Sequence, residues 1–285
     1  MSSGSSTLPA VVGIYGGGRM GAGIAHAFLV SGSRVVVVEG DDALAEAARG
    51  RVASSVGKAA DRGVLIGSPE EVLAGLTVTT TPTDLAGCAL VVEAVPEDTA
   101  LKLTVLRQAE QAAPDAVLAT NTSSLSVSAL AAGLARPDQF VGLHFFNPVP
   151  ASDLVEVVVG EQTAASLVDD ARCWVSALGK TAITVQDSPG FASSRLGVAI
   201  ALEAMRMVQE GVASAEDIDT AMTLGYRHPV GPLRTTDIVG LDVRLAIAEH
   251  LTRELGPRFE PPQVLRDKVA AGELGRKTGR GFYDW

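Results

Sequence analysis

From residue 11 onward, short apolar runs alternate with stretches whose apolar residues recur at helical spacing. Val11-Val-Gly-Ile-Tyr15 is the first such run and leads into glycines, residues 22–30 carry apolar side chains three and four apart, and Arg34-Val-Val-Val-Val-Glu39 holds four consecutive valines. An unbroken β-branched run fits a strand buried on both faces, as in a parallel sheet. An alanine-rich helix is predicted over 41–62. Further strand-like runs follow at 76–80, 89–95, 116–120, 140–146, 154–159 and 181–185, with helical stretches at 99–112 and 163–178. This alternation implies right-handed βαβ crossovers and a sheet covered by helices on both faces.

The texture changes at Asp187-Ser-Pro-Gly190, beyond which no strand is predicted. Residues 191–209 read as one long, nearly all-apolar helix, and Ser214-Ala-Glu-Asp217 has the polar cap and acidic first turn of a helix start. Helices are also predicted over 234–255 and 262–271. A helix apolar around most of its circumference must be covered by its own domain or by a second subunit. The pattern therefore predicts a homodimer formed through this region. The expected organisation is a flexible tail over 1–9, a doubly wound parallel α/β domain over 10–187, and a smaller all-helical domain over 188–285.

The 285 residues are 47% apolar, enough for a sizeable core, and 33 acidic against 23 basic side chains leave a formal charge of −10. A field of that sign repels phosphate backbones and disfavours nucleic acid as a partner. No stretch approaches the roughly 18 apolar residues of a membrane span. Met1-Ser-Ser-Gly-Ser-Ser-Thr7 lacks the basic and apolar regions of a secretory signal. Cys88 and Cys173, both in apolar surroundings, lack metal-ligand spacing and make no disulfide framework. A cytoplasmic protein is the expectation.

Gly16-Gly-Gly-Arg-Met-Gly21 fits G-x-G-x-x-G, with Gly16, Gly18 and Gly21 in the three glycine places, after a strand and opening a helix. There the glycines allow a tight turn, backbone approach to a pyrophosphate and close helix–strand packing. Glu39, 18 residues beyond Gly21 at the end of the second strand, is placed to accept from adenosine ribose hydroxyls. The same carboxylate repels a 2′-phosphate, so NAD is expected rather than NADP, with Arg34 and Arg49 the nearby cations that would blur the choice. This places the α/β domain in the Rossmann type. Asn121-Thr-Ser-Ser124 follows an apolar strand and reads equally as a turn or as hydroxyls over the cofactor crevice. His144 lies inside a strand-like aromatic run, and Glu156 inside Leu154-Val-Glu-Val-Val158, where an unpaired charge is costly. Among four histidines, His144 is the best partner for Glu156. A carboxylate on one ring nitrogen fixes the tautomer and raises the basicity of the other, which suits acid–base work on an alcohol or ketone.

These motifs resemble the NAD-dependent 3-hydroxyacyl-CoA dehydrogenases, including bacterial 3-hydroxybutyryl-CoA dehydrogenases, over about residues 10–285. The likeness runs through Val92-Glu-Ala-Val-Pro-Glu97, Asn121-Thr-Ser-Ser-Leu125, Gly142-Leu-His-Phe-Phe-Asn-Pro-Val-Pro150 and Leu154-Val-Glu-Val157. It continues through Asp187-Ser-Pro-Gly-Phe191, His228-Pro-Val-Gly-Pro232 and Lys277-Thr-Gly-Arg-Gly-Phe-Tyr283. The resemblance implies interconversion of (3S)-3-hydroxyacyl-CoA and 3-ketoacyl-CoA in fatty-acid metabolism of the β-oxidation type, in a cleft between the domains. It implies that His144 moves the hydroxyl proton, that Glu156 orients it, and that Ser123 bonds the reacting oxygen. It further implies cofactor contacts at Gly16, Gly18, Met20, Gly21, Glu39, Ala94, Glu97, Lys102, Asn147 and Lys277, and contacts to the nucleotide end of CoA at Ser55 and Arg62.

One position departs from the family. Where its members carry an asparagine that contacts the substrate carbonyl region, this chain has Ser194, just before Arg195. Either the shorter side chain serves through a water, or the pocket is roomier and the substrate differs. Three other functions fit the scaffold. A dehydrogenase of a free hydroxy acid needs a cation for the carboxylate, for which Arg195 and Arg234 are available. A lysine-dependent β-hydroxyacid dehydrogenase needs an asparagine and a lysine that Ser193-Ser-Arg-Leu-Gly-Val198 lacks. A nucleotide-binding homologue without activity has no reason to keep Ser123, His144 and Glu156 together.

Overall fold

The structure, a computed structural model, describes residues 8–285. The expected tail lies outside the described residues as far as residue 7. Leu8 packs against the sheet core, and the Pro9 carbonyl accepts a hydrogen bond from Ser33 Oγ at 2.8 Å. The chain divides into two compact units, one ending at Ser188 and the other running from Pro189 to Trp285.

The first unit contains β1 (Val11–Tyr15), α1 (Arg19–Val30), β2 (Arg34–Val38), α2 (Asp42–Asp61), α3 (Pro69–Leu73), β3 (Leu76–Thr79), β4 (Leu90–Glu93), α4 (Thr99–Ala112), β5 (Val117–Thr120), α5 (Val127–Ala131), β6 (Phe140–Phe145), β7 (Leu154–Val159), α6 (Ala165–Ala177) and β8 (Thr181–Gln186). Its eight strands form one sheet in the order β3-β2-β1-β4-β5-β6-β7-β8. The sheet is not wholly parallel: β7 runs antiparallel to β6, and β8 follows β7 in parallel. The reason is linker length. Only eight residues separate β6 from β7, too few for the dozen or so that a parallel crossover needs. Between β7 and β8 the chain returns through α6, and the crossover is restored.

Packing follows the apolar pattern. Nine consecutive residues of α1, Gly21 to Leu29, are buried, and Ile14, Ile24 and Phe28 are wholly enclosed. Each such side chain contributes roughly 1.5–3 kcal/mol relative to exposure. Cys88 is buried, which pushes its thiol up to about 11. Cys173, in contrast to the sequence expectation, is exposed on the solvent face of α6.

The second unit is helical: α7 (Ser193–Gln209), α8 (Ala215–Thr220), a π turn over Ala221–Gly225, α9 (Pro232–Val239), α10 (Leu241–Leu255) and α11 (Gln263–Ala270). Ser214 caps α8, its hydroxyl accepting from Asp217 N at 3.1 Å. The helix expected over 234–255 is two helices, because Gly240 adopts φ +109°, a left-handed geometry that breaks the ladder. Helix α7 buries Val198, Ala201, Leu202, Ala204 and Met205, but its own chain leaves Leu196 63% and Ile200 39% exposed. The buried Asp237 carboxylate gathers the end of the chain, accepting from the Phe282 and Tyr283 amides and from Trp285 Nε1 at 2.8–2.9 Å.

Candidate active site

Strands β1, β2, β4, β5 and β6 run in one direction, so their carboxyl ends share one edge of the sheet. Between β1 and β4 the strand order reverses, and ligands of open α/β sheets bind at such a switch point. The glycine loop stands there. A Cβ at Gly21 would lie 1.8 Å from the Gly16 carbonyl oxygen, and one at Gly16, whose φ is +93°, would press on the Ala94 backbone at 3.0 Å. At Gly18 a Cβ would meet nothing within 4 Å. Two glycines are thus required by packing, and the third leaves open space at the N-cap of α1, which no side chain caps. No acidic residue occupies the first turn of that helix, so its amide donors and dipole fit a pyrophosphate. Met20, half-buried, turns into the adjoining core.

Glu39 Oε1 accepts from Gly17 N at 2.6 Å, which fixes the carboxylate beside the loop. Of the two cations that could blur its selectivity, Arg34 is held far off and Arg49 beside the neighbouring strand end. Arg34 begins β2, at the opposite end of the strand from Glu39, and Arg49 donates to the Val78 carbonyl at 3.2 Å. The residues present therefore fit NAD.

The next edge position is organised by carboxylates. Glu93, wholly buried at the end of β4, accepts from Lys102 Nζ and Val95 N at 2.7 Å and from Thr120 Oγ1 at 2.6 Å. Lys102, 1% exposed, also lies 3.2 Å from Glu97 Oε2. Glu97 Oε1 in turn accepts from Thr122 Oγ1 at 2.6 Å, Ser123 N at 2.9 Å and Ser124 N at 3.0 Å, so it shapes the loop that presents Ser123. Burial pushes the Glu97 carboxyl up, but the Thr122 hydroxyl, the Lys102 charge and the serine donors outweigh it and hold the group below its usual range. Asn121 Oδ1 accepts from Phe145 N at 2.9 Å, tying this loop to the strand that carries His144.

His144 and Glu156 are direct register partners across the antiparallel β6–β7 pair. Antiparallel partners point to the same face, and here His144 Nδ1 stands 2.7 Å from Glu156 Oε2 with both side chains buried. The carboxylate accepts, so Nδ1 bears the proton, and the ring in its neutral form carries its lone pair on Nε2. Phe146 packs against the imidazole with ring centroids 4.5 Å apart, restricting its rotation.

A cavity of about 880 Å³ adjoins α1 and α2 within the first unit. Arg19, Arg51, Lys58 and Arg62 line it together with Ser54, Ser55 and the segment from Asn147 to Ala151, and no carboxylate does. Ser55 and Arg62 had been expected near a nucleotide. Arg51 and Lys58 had not, although 51, 54, 55, 58 and 62 follow the spacing of one helix face. Ser194, in the first turn of α7, and Lys277, whose ammonium is 2.6 Å from Asp242, belong to the second unit.

Residues 11–188 match the family model described as 3-hydroxyacyl-CoA dehydrogenase, NAD binding domain, and residues 190–285 match the model of the C-terminal domain. The chain belongs to the 3-hydroxyacyl-CoA dehydrogenase family. A probable 3-hydroxybutyryl-CoA dehydrogenase of Deinococcus radiodurans is 43% identical over 275 residues, covering 96% of this chain and 99% of the relative. The 3-hydroxybutyryl-CoA dehydrogenase of Mycobacterium tuberculosis is 42% identical over 281 residues, covering 96% and 98%. Among solved structures, the (S)-3-hydroxybutyryl-CoA dehydrogenase of Ralstonia eutropha superposes with a TM-score of 0.92 at 41% identity, covering 97% of this chain and 99% of that one. The first unit of this family member is accordingly an NAD-binding domain.

Proposed function

We propose that this family member interconverts (3S)-3-hydroxyacyl-CoA and 3-ketoacyl-CoA thioesters with NAD, the four-carbon acyl group of its relatives included. The observation that carries the reading is the enclosed His144–Glu156 pair on the same sheet edge as the glycine cradle. Glu156 holds the Nδ1 proton, and Nε2 takes the proton of the 3-hydroxyl during oxidation. When bound, NAD supplies the acceptor for the hydride leaving C3. In reduction, protonated His144 and the Ser123 hydroxyl donate to the carbonyl oxygen and stabilise the charge developing there. A positioned acid–base group of this kind is worth about 10²–10⁴ in rate.

The other residues take roles around this centre. Gly16, Gly18, Met20, Gly21, Ala94 and Asn147 border the cofactor, Glu39 accepts from its ribose, and Lys277 contacts it. The buried Lys102 acts on the cofactor through Glu97, since its ammonium is spent on two carboxylates. Ser55 and Arg62, joined by Arg19, Arg51 and Lys58, hold the phosphates of CoA. Ser194 touches the acyl group. The exposed apolar face of α7, with Leu196 and Ile200, is the surface on which a homodimer forms. Among the described residues no helix is long and apolar enough to cross a membrane, and we read the setting as cytoplasmic.

Turnover of 3-hydroxybutyryl-CoA, longer 3-hydroxyacyl-CoA thioesters and free 3-hydroxybutyrate, each with NAD and with NADP, tests this. The expected result is NAD-linked oxidation of the thioesters. Oxidation of the free acid alone would sink the reading in favour of a hydroxy-acid dehydrogenase, and NAD binding without turnover would leave a non-enzymatic homologue. Arg234, one cation available to the free-acid reading, is stacked 4.3 Å over the Tyr283 ring. In the same panel Ser194→Asn shifts the preference among acyl lengths; an unchanged profile removes Ser194 from the site.

A further inference from the structure

The large cavity of the first unit has three walls. Two are α1 and α2 with the residues just past it, and the third is the segment from Asn147 to Ala151, part of the link between β6 and β7. A helix supplies its own backbone hydrogen bonds, but this link supplies few. Pro148 and Pro150 have no N–H group, and the Ala151 and Ser152 amides both turn back to the Pro148 carbonyl, at 3.0 and 3.1 Å. Val149 anchors the link on one side. Only 2% exposed, it packs into the space left by Gly23 on α1, where a Cβ would stand 2.9 Å from its own. The carbonyls of Val149 and Ser152 are left to a donor from elsewhere in the chain.

That donor is Lys180. Helix α6 ends in a Schellman turn, in which Gly179, at φ +72°, donates to the Ser176 carbonyl at 2.9 Å and Lys180 N to the Val175 carbonyl at 3.1 Å. The turn fixes the backbone of Lys180 just before β8. Its half-buried ammonium then donates to the Val149 carbonyl at 2.7 Å and to the Ser152 carbonyl at 2.6 Å. Both bonds are charge-assisted, which makes them the strong kind. The same charge is felt on α1. His26, which also lines the cavity, is held below its ordinary range by burial and then by Lys180. Lys180 thus stands behind the cavity wall and holds it.

We propose that Lys180 is a positioning residue for the CoA thioester, clamping the wall from Asn147 to Ala151 in the shape that receives it. The inference rests on the reading that this cavity holds the phosphates of CoA, and it adds a residue that acts only through the loop. A wall fixed in advance costs the ligand little ordering entropy, whereas an unclamped one must be ordered at each binding event. The His144–Glu156 pair is insulated from the clamp, because the β6–β7 ladder and its own hydrogen bond hold it. Lys180 therefore acts on affinity and KM more than on kcat.

The test uses the full chain, titrated with free CoA by calorimetry and assayed on two NAD-linked substrates. These are 3-hydroxybutyryl-CoA and the 3-hydroxybutyryl thioester of N-acetylcysteamine, which lacks the nucleotide. Lys180→Met should raise the CoA dissociation constant by about 10- to 100-fold, the worth of a charge-assisted hydrogen bond. It should cut the kcat/KM ratio of the long thioester to the short one by a similar factor, through KM. Lys180→Arg keeps the charge and several donors and should recover much of the loss, which guards against misreading a poorly folded Met variant. A CoA dissociation constant or a substrate ratio that Lys180→Met leaves unchanged overturns the proposal. So does a parallel loss on CoA, the short thioester and NAD, which assigns Lys180 to the stability of the unit alone. A wild type that binds no CoA strikes at the reading of the cavity and takes the proposal with it. CoA binding that depends on Lys180, without turnover of either thioester, sinks the dehydrogenase reading and leaves the clamp standing.

Discussion

Glu93 and Glu156 are wholly buried carboxylates on strands of one sheet, and each faces a nitrogen cation or base at 2.7 Å. Their surroundings differ. Glu93 is met by an ammonium, a hydroxyl and an amide, and its partner Lys102 bridges onward to Glu97. Glu156 meets an imidazole whose second nitrogen can still exchange a proton. Burial and pairing are therefore common to both sites and do not mark catalysis by themselves. What separates them is the partner: the lysine at Glu93 offers only donors, whereas the histidine at Glu156 has a second ring nitrogen able to accept or donate a proton.

The comparison is sharpest at His144. His144→Gln should lower kcat by about 10²–10⁴ while leaving the NAD dissociation constant in place, measured by steady-state kinetics beside a titration of cofactor fluorescence. Glu156→Gln should lower kcat less, since the ring remains but its tautomer is no longer imposed. Equal loss of NAD binding in either variant would remove the pair from the chemical step.

Lys102→Met moves the other term of the contrast. It leaves Glu93 buried without its counter-charge, a change that costs about 3–5 kcal/mol of stability. The double variant Lys102→Met with Glu93→Gln should recover most of that loss, because neither charge is then stranded. Chemical denaturation reads both. A fully folded Lys102→Met enzyme with turnover as poor as His144→Gln would break the distinction between the two pairs.

The sequence made some of this legible and hid the rest for identifiable reasons. Gly16, Gly18 and Gly21 are readable because backbone geometry restricts the residue type, and Glu156 because a charge inside an apolar strand demands a partner. The reversal of β7 was readable only in the length of the link after β6, a signal weaker than strand alternation. The cation row on α2 had helical spacing, but the neighbouring alanines and acids masked it. Gly240 looked like a residue of one helix because nothing in the flanking sequence marks the φ of +109° that the fold gives it.

The smallest expected effect concerns Glu97, which links the Ser123 loop to Lys102. Its carboxyl is depressed below the usual 4.5, so the native state binds the proton less readily than the unfolded chain. The stabilisation from this group is fully present above the unfolded value and fades as pH falls through the native one. Glu97→Gln should therefore cost stability by a constant amount from neutral pH down to about 5, and the gap from wild type should close as pH falls below the mid-fours. With its side chain 35% exposed, solvent screens the charge and keeps the gap modest. Thermal melts across that pH range check it. A gap that instead widened on acidification would mean that the loop is held by the protonated acid, and the order of donors around Ser123 would have to be redrawn.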